Sequence, residues 1–169
     1  MKKLLIVVDM QNDFLFGALG TPEARSILPA VRGEIASARA RGVQVVYTRD
    51  THARDYLKTQ EGKRLPVPHC EQGTPGWEIV EGLYDGGEIF DKPSFGSVAL
   101  AEYAKAGGYD DVELVGVCTD ICVISNALLL KAFCPEARVW VRAAACAGAT
   151  REGHENALAA MRACQVDVV

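Results

Sequence analysis

The chemistry in this sequence gathers around Cys122, which closes the run Leu114-Val115-Gly116-Val117-Cys118-Thr119-Asp120-Ile121-Cys122. Asp111 to Val117 reads as a buried strand, and Ile121 to Phe133, free of internal Gly and Pro, as the helix that follows it. Thr119 or Asp120 is placed to cap that helix. A thiol in the first helical turn faces free backbone N–H groups and the positive end of the helix dipole. Both favour a thiolate, so the spacing predicts a lowered pKa and a nucleophile. The competing reading of Cys122 is a small buried packing residue. Two more polar groups close predicted strands: Asp9 after Leu4 to Val8, and Lys92 after Gly87 to Asp91. In an open parallel sheet the carboxyl ends of the strands share one edge, where ligands bind, so Asp9, Lys92 and Cys122 are expected to converge there. An acid beside a thiol takes its proton, and a nearby ammonium stabilises the thiolate. Taken singly, Asp9 could cap a loop and Lys92 could be a solvated surface lysine.

The elements that must position these groups follow from the apolar patterning. Leu4 to Val8 is a continuous apolar run, expected to be a central strand. Met10 to Gly20 reads as a loop carrying Phe14 and Phe16. Pro29 suits a first helical position, and Ala30 to Arg41 forms a helix closed by Gly42. Val43 to Thr48 is a second strand that runs out into Arg49, Asp50, Thr51 and His52. Residues 53–76, with Gly62, Pro66, Pro68, Gly73, Pro75 and Gly76, read as a long irregular segment, which in a compact domain is usually functional. Trp77 to Tyr84 is a short helical or bridging piece, with Trp77 expected in the core. Ser97 to Ala106 is a helix stopped by Gly107-Gly108, Ala137 to Arg142 a fifth strand, Thr150 to Cys164 a helix with a Thr cap, and Val166 to Val169 a short sixth strand. His154 falls on the solvated face of the last helix, and Cys134, Cys146 and Cys164 are expected to pack. The alternation of strands and helices predicts an α/β fold: a three-layer α/β/α, Rossmann-like domain over residues 1–169, with a mostly parallel sheet of five to six strands.

The chain has 169 residues and a formal net charge of −4, and it carries no Lys/Arg-rich run, which argues against nucleic acid and anionic membrane as partners. The N-terminal apolar run stops at Asp9, too short for a signal peptide, and no stretch is long enough to span a membrane. The expected location is therefore the cytoplasm, with the six cysteines as reduced thiols. There is no CxxC pair. The Cys118/Cys122 spacing could place two sulfurs on one helix face, but no second pair of matching spacing completes a metal site.

Five blocks, in order, resemble the cysteine hydrolases of the isochorismatase-like superfamily, and especially its nicotinamidase-related branch. They are Val7-Val8-Asp9-Met10-Gln11-Asn12-Asp13-Phe14, Thr48-Arg49-Asp50-Thr51-His52, Pro68-His69-Cys70-Glu71-Gln72-Gly73-Thr74-Pro75-Gly76, Lys92-Pro93-Ser94-Phe95 and Gly116-Val117-Cys118-Thr119-Asp120-Ile121-Cys122-Val123. The resemblance implies a catalytic triad of Asp9, Lys92 and Cys122, and a cis peptide between Val117 and Cys118. It further implies an oxyanion hole made by the backbone N–H groups of Cys118 and Cys122. The implied reaction is hydrolysis of a small-molecule amide through a thioester on Cys122, with Asp9 as general acid and base, and the implied assembly is a homo-oligomer. No organic cofactor is implied. Phe14 and Phe95 are the expected substrate-binding walls.

Asp50 and His52, an Asp-x-His at a strand end, together with the distant His69 offer oxygen and imidazole ligands for a divalent metal, Zn²⁺, Fe²⁺ or Mn²⁺. In nicotinamidases such a site holds the pyridine nitrogen. The alternative is that these residues brace the long segment through hydrogen bonds. A third histidine, common in that branch, is missing from Ala53-Arg54-Asp55-Tyr56-Leu57, and Asp55 or Glu61 could stand in for it. Leu65-Pro66-Val67 stands where nicotinamidases often place a Trp, and Phe95 is followed by Gly96-Ser97-Val98 rather than a second aromatic. These departures extend the candidate substrates from nicotinamide to carbamoyl compounds and other carboxamides. True isochorismatases lack the nucleophilic cysteine, so Cys122 argues against vinyl-ether cleavage. Two readings of other classes stand beside the hydrolase: a non-catalytic metal- or ligand-binding protein of the same fold, and a thiol redox protein using Cys118 and Cys122.

Overall fold

In the computed structural model, which describes residues 1–169, the apolar runs become six strands: β1 (Lys3–Val8), β2 (Gln44–Asp50), β3 (Ile89–Lys92), β4 (Asp111–Val117), β5 (Arg138–Ala147) and β6 (Asp167–Val168). Every neighbouring pair is parallel, in the order β3-β2-β1-β4-β5-β6. The chain winds outward from β1 to one side and then, from β4, to the other. The crevice at the carboxyl ends of β1 and β4 is therefore the topological switch point, where such sheets bind ligands. Successive side chains of a strand point to opposite faces, so β1 feeds two cores. Leu5 and Val7 pack with Val45, Tyr47 and the inner face of α3 (Leu28–Ala40), through Val31 and Ile35. Leu4, Ile6 and Val8 pack with Val46 and three helices on the opposite face: α5 (Val98–Gly107), α6 (Ile124–Phe133) and α7 (Arg151–Ala163). This is the expected three-layer α/β/α arrangement, with all six strands parallel. No helix is long and apolar enough to cross a membrane.

Several local expectations change. The predicted loop 10–20 contains a short helix, α1 (Asn12–Leu15), and a second, α2 (Pro22–Ser26), starts from a Thr21 cap. The third strand begins later than predicted and includes Lys92, which pairs in register with Asp50. β5 runs to Ala147, well past Arg142, because its register shifts between Leu114 and Gly116 and then resumes with Gly116 opposite Cys146. The alanine-rich end of that strand lacks the β-branched residues that announce a strand. The supposedly irregular segment 53–76 holds a 3₁₀ turn at Tyr56–Lys58 and a helix, α4 (Gln60–Arg64). Thr59 caps α4 by accepting from the Gly62 N–H, and Gly62 lies so close to the Tyr56 carbonyl that a Cβ there would stand 2.1 Å from it.

Candidate active site and metal-ligand cluster

Asp9 is fully buried just beyond β1, with φ at 48°, and Thr48 of β2 donates its hydroxyl to Oδ1 at 2.6 Å. Lys92, also buried, brings its Nζ to 2.7 Å from Asp9 Oδ2, 3.3 Å from Cys122 Sγ and 3.5 Å from Asp50 Oδ1. Asp9 Oδ2 and Asp50 Oδ1 have no hydrogen bond of good geometry, so the shared ammonium is what offsets their burial. Strand pairing produces this meeting: Asp50 and Lys92 are register partners on adjacent strands, and Asp9 follows the strand on the other side of β2.

The segment before Cys122 is not the simple capped helix that its sequence suggests. A π-helical turn, Thr119–Val123, leads into α6, and no side chain caps it. Asp120 instead accepts from the Ala149 N–H at 2.9 Å, and the Thr119 hydroxyl lies 2.8 Å from His154 Nδ1. His154 is thus half-buried and engaged, contrary to the solvated position expected for it. The Val117–Cys118 peptide is cis. The Cys118 carbonyl accepts from the Ile121 and Val123 N–H groups, so these bonds skip the Cys122 N–H between them.

The thiol departs from the expectation of a lowered pKa. Burial pushes Cys122 well above the ordinary cysteine value, Asp9 pushes it further, and Lys92 opposes them. The helix-terminus argument fails here because the sulfur is only 4% exposed at the residue level and shares its surroundings with two carboxylates. Burial likewise raises Asp9, with Lys92 drawing it back and Asp50 adding to the rise, while Lys92 is held above its ordinary value by Asp9, Cys122 and Asp50 against its own burial. Burial and Asp9 thus favour the protonated form of the Cys122 thiol against the pull of Lys92, and burial enhances the proton affinity of the Asp9 carboxyl. Among the cysteines expected to pack, Cys146 is buried and Cys134 half-buried, but Cys164 is exposed because it follows the end of α7.

A second group adjoins the first through Asp50. His52 Nε2 lies 2.9 Å and His69 Nε2 3.3 Å from Asp50 Oδ2, and Glu61 Oε1 lies 3.7 and 3.8 Å from the two imidazole nitrogens. One ligand atom from each of Asp50, His52, Glu61 and His69 falls within 4.8 Å of all the others. Donors around a tetrahedral ion at about 2.0–2.1 Å stand roughly 3.4 Å apart, so the set fits Zn²⁺ or a similar divalent ion. The Val67 carbonyl, 2.7 Å from His69 Nδ1, directs Nε2 into the cluster. Tyr56 packs its ring against both imidazoles, at centroid distances of 4.6 and 5.0 Å. Of the two proposed stand-ins, Glu61 is present, carried in by α4, and the exposed Asp55 is not. Burial would raise Asp50, but hydrogen bonds from both histidines and the charge of Lys92 overcome it and hold its carboxyl well below the usual range.

Above both groups lies a cavity of about 310 Å³. Phe14, Leu19, Leu65, Phe95 and Ile121 supply much of its apolar wall, Asp50, Glu61 and His69 line one part, and Cys118 and Cys122 another. Phe14 and Phe95 both line it, and Phe14 packs against His69 at 5.7 Å. Trp77 stays in the core, with its Nε1 donating to Thr51 Oγ1 at 2.8 Å and the Arg49 guanidinium stacked 3.6 Å over its ring. Leu19 and Leu65 escaped the sequence reading because single apolar residues in irregular segments carry no periodic signal, and Ile121 reads there only as the start of the helix.

Comparison with known proteins adds a second line. The isochorismatase domain matches residues 3–169. Streptothricin hydrolase of Streptomyces noursei is 30% identical over 128 residues, which cover 73% of this chain but 42% of that protein, so the chain spans less than half of that relative. The nicotinamidase/pyrazinamidase of Mycobacterium tuberculosis is 30% identical over 146 residues, covering 74% of this chain and 76% of its own length. The crystal structure of the pyrazinamidase of Pyrococcus horikoshii in complex with zinc aligns with a TM-score of 0.89 at 32% identity, over 100% of this chain and 99% of that one.

Proposed function

We propose that this chain, which belongs to the isochorismatase family, is a nicotinamidase-like cysteine amidohydrolase that cleaves a small carboxamide through a thioester on Cys122. The observation that carries this reading is the Lys92 ammonium, held 2.7 Å from Asp9 and 3.3 Å from the Cys122 sulfur beneath an apolar cavity. The thiol starts protonated. As sulfur attacks the amide carbonyl, Asp9 accepts the thiol proton, and Lys92 offsets the charge that passes through the sulfur. The backbone N–H groups of Cys118 and Cys122 receive the oxyanion, each worth roughly 3–4 kcal/mol in related sites. Asp9 then gives its proton to the departing nitrogen, ammonia leaves, and a water deprotonated by Asp9 hydrolyses the thioester to the acid. A carboxyl with enhanced proton affinity suits a group that must both take and return a proton.

Asp50, His52, Glu61 and His69 would hold a divalent metal, which when bound supplies a Lewis-acid anchor for a lone pair on the substrate. That the zinc-bound relative is a pyrazinamidase supports a ring carboxamide as first candidate, and the cavity's apolar walls, Phe14 and Phe95 among them, suit a flat apolar body. The test is ammonia release from a panel of nicotinamide, pyrazinamide, aliphatic carboxamides and carbamoyl compounds, comparing wild type with Cys122→Ala. Loss of all turnover in the variant is expected. Equal behaviour of the two proteins on every amide refutes the reading and favours a non-catalytic ligand-binding role.

A further inference from the structure

β1 stops pairing before β2 does. Its last residue, Val8, stands opposite Thr48, and Asp9 makes a final contact from its N–H to the Thr48 carbonyl before the chain turns away. β2 continues to Asp50, whose backbone N–H and C=O face the side that β1 has left. Backbone groups buried there need partners. They find them in one side chain: Gln11 Oε1 accepts the Asp50 N–H at 2.8 Å, and Gln11 Nε2 donates to the Asp50 carbonyl at 2.9 Å. The second Nε2 proton goes to the Trp77 carbonyl at 2.8 Å. The carboxamide is completely buried, and its donors and acceptor all match, so its orientation is fixed. It serves as a detached peptide unit that prolongs the edge of β1 by one rung.

We propose that Gln11 is the positioning residue for Asp50, and through it for the cluster of Asp50, His52, Glu61 and His69. Asp50 is the hinge of the whole site: one carboxylate oxygen faces Lys92, and the other faces both histidines. On the β3 side the strand is held through the next residue, where the Thr51 N–H donates at 2.9 Å to the carbonyl of Lys92, the register partner of Asp50. Gln11 holds the near edge. With both edges pinned, the carboxylate cannot rotate with its backbone, and the two halves of the site keep their spacing. A second tie from the same segment acts on the other arm: Asp13 Oδ2 accepts the Cys70 N–H at 2.8 Å, next to His69, and the Cys70 carbonyl accepts the His52 N–H at 3.0 Å.

The proposal rests on the cluster as a metal site, and its test reads zinc affinity apart from turnover. Gln11→Met keeps the length of the side chain and removes all three hydrogen bonds. Chelator-stripped variant and wild type are titrated with zinc against a chromophoric competitor, alongside thermal melts and ammonia release. The expected result is a zinc dissociation constant raised about 10–100-fold. Tyr47→Phe, which loses bonds to Leu83 and Asp85, neither of them a member of the cluster, should lower the melting temperature and leave zinc affinity unchanged. Should Gln11→Met fail to fold, Gln11→Asn, one methylene short of both Asp50 groups, takes its place with the same expectation. Wild-type zinc affinity in a folded Gln11 variant, with only the melt affected, overturns the proposal and leaves Gln11 a packing residue. Wild-type protein that takes up no zinc overturns it as well, and ammonia release from that preparation shows whether the amidase reading stands without the metal.

Discussion

Replacing Lys92 by methionine removes the ammonium that Asp9 and Asp50 share. The two carboxylates sit 2.7 and 3.5 Å from Nζ, both are buried, and neither facing oxygen has a well-formed hydrogen bond. Removing one partner from a buried ion pair costs about 3–5 kcal/mol, because the other charge is left without compensation. For a domain of this size that corresponds to a fall in melting temperature of roughly 6–20 °C. The penalty has a definite pH dependence. Asp9 is already raised by burial, with Lys92 the main influence lowering it, so the variant lifts its carboxyl further above the unfolded value of about 3.9. A carboxyl raised on folding binds its proton more tightly in the folded state, so stability is lost as pH rises from the unfolded value through the folded one. The penalty of Lys92→Met is therefore largest from neutral to mildly alkaline pH, below the unfolded lysine value, and shrinks on acidification. Urea unfolding of wild type and variant across that range measures it directly. The double variant Asp9→Asn/Lys92→Met should be more stable than Lys92→Met alone, since it removes the stranded charge, with a coupling of about 0.5–3 kcal/mol. A variant as stable as wild type at neutral pH, or a penalty that grows on acidification, refutes the reasoning.

Three other outcomes follow from single contacts. Thr48→Val deletes the 2.6 Å bond to Asp9 Oδ1 and leaves that buried oxygen unpaired, so it should cost about 1–3 kcal/mol in denaturant unfolding and slow ammonia release. Gly116→Ala should lower stability by about 3 kcal/mol or more, because φ there is 120° and a Cβ would stand 2.1 Å from the Val8 carbonyl oxygen; a melt like that of wild type contradicts this. Zinc at about a hundred times its dissociation constant should stabilise chelator-stripped protein by roughly 2.7 kcal/mol, and His69→Ala should remove most of that gain in a thermal melt.

The order of strands and helices was legible because burial on both sheet faces writes continuous apolar runs such as Leu4 to Val8, and because caps such as Thr150 and stops such as Gly108 are local. The meeting of Asp9, Lys92 and Cys122 was legible for a topological reason: parallel strands put their carboxyl ends on one edge. Asp50 and His52 share that logic. Glu61 does not, since its approach depends on a five-residue helix set by a Thr cap and a tight glycine contact inside a segment without periodicity.

By itself, then, the sequence determined the layering of the domain, the edge on which its candidate site residues would lie and the chemical types available there. Tertiary structure alone decided the protonation balance at Cys122, the choice of Glu61 over Asp55, the engagement of His154 with Thr119 and the clamp of Gln11 on Asp50. The physical reason is the range over which each property is set. Periodicity and capping act over a few neighbouring residues, whereas desolvation, charge and the pairing of orphaned backbone groups depend on whatever the rest of the chain brings within a few ångströms. For Cys122 the local sequence pointed to a lowered pKa, and the burial completed by distant residues reversed it.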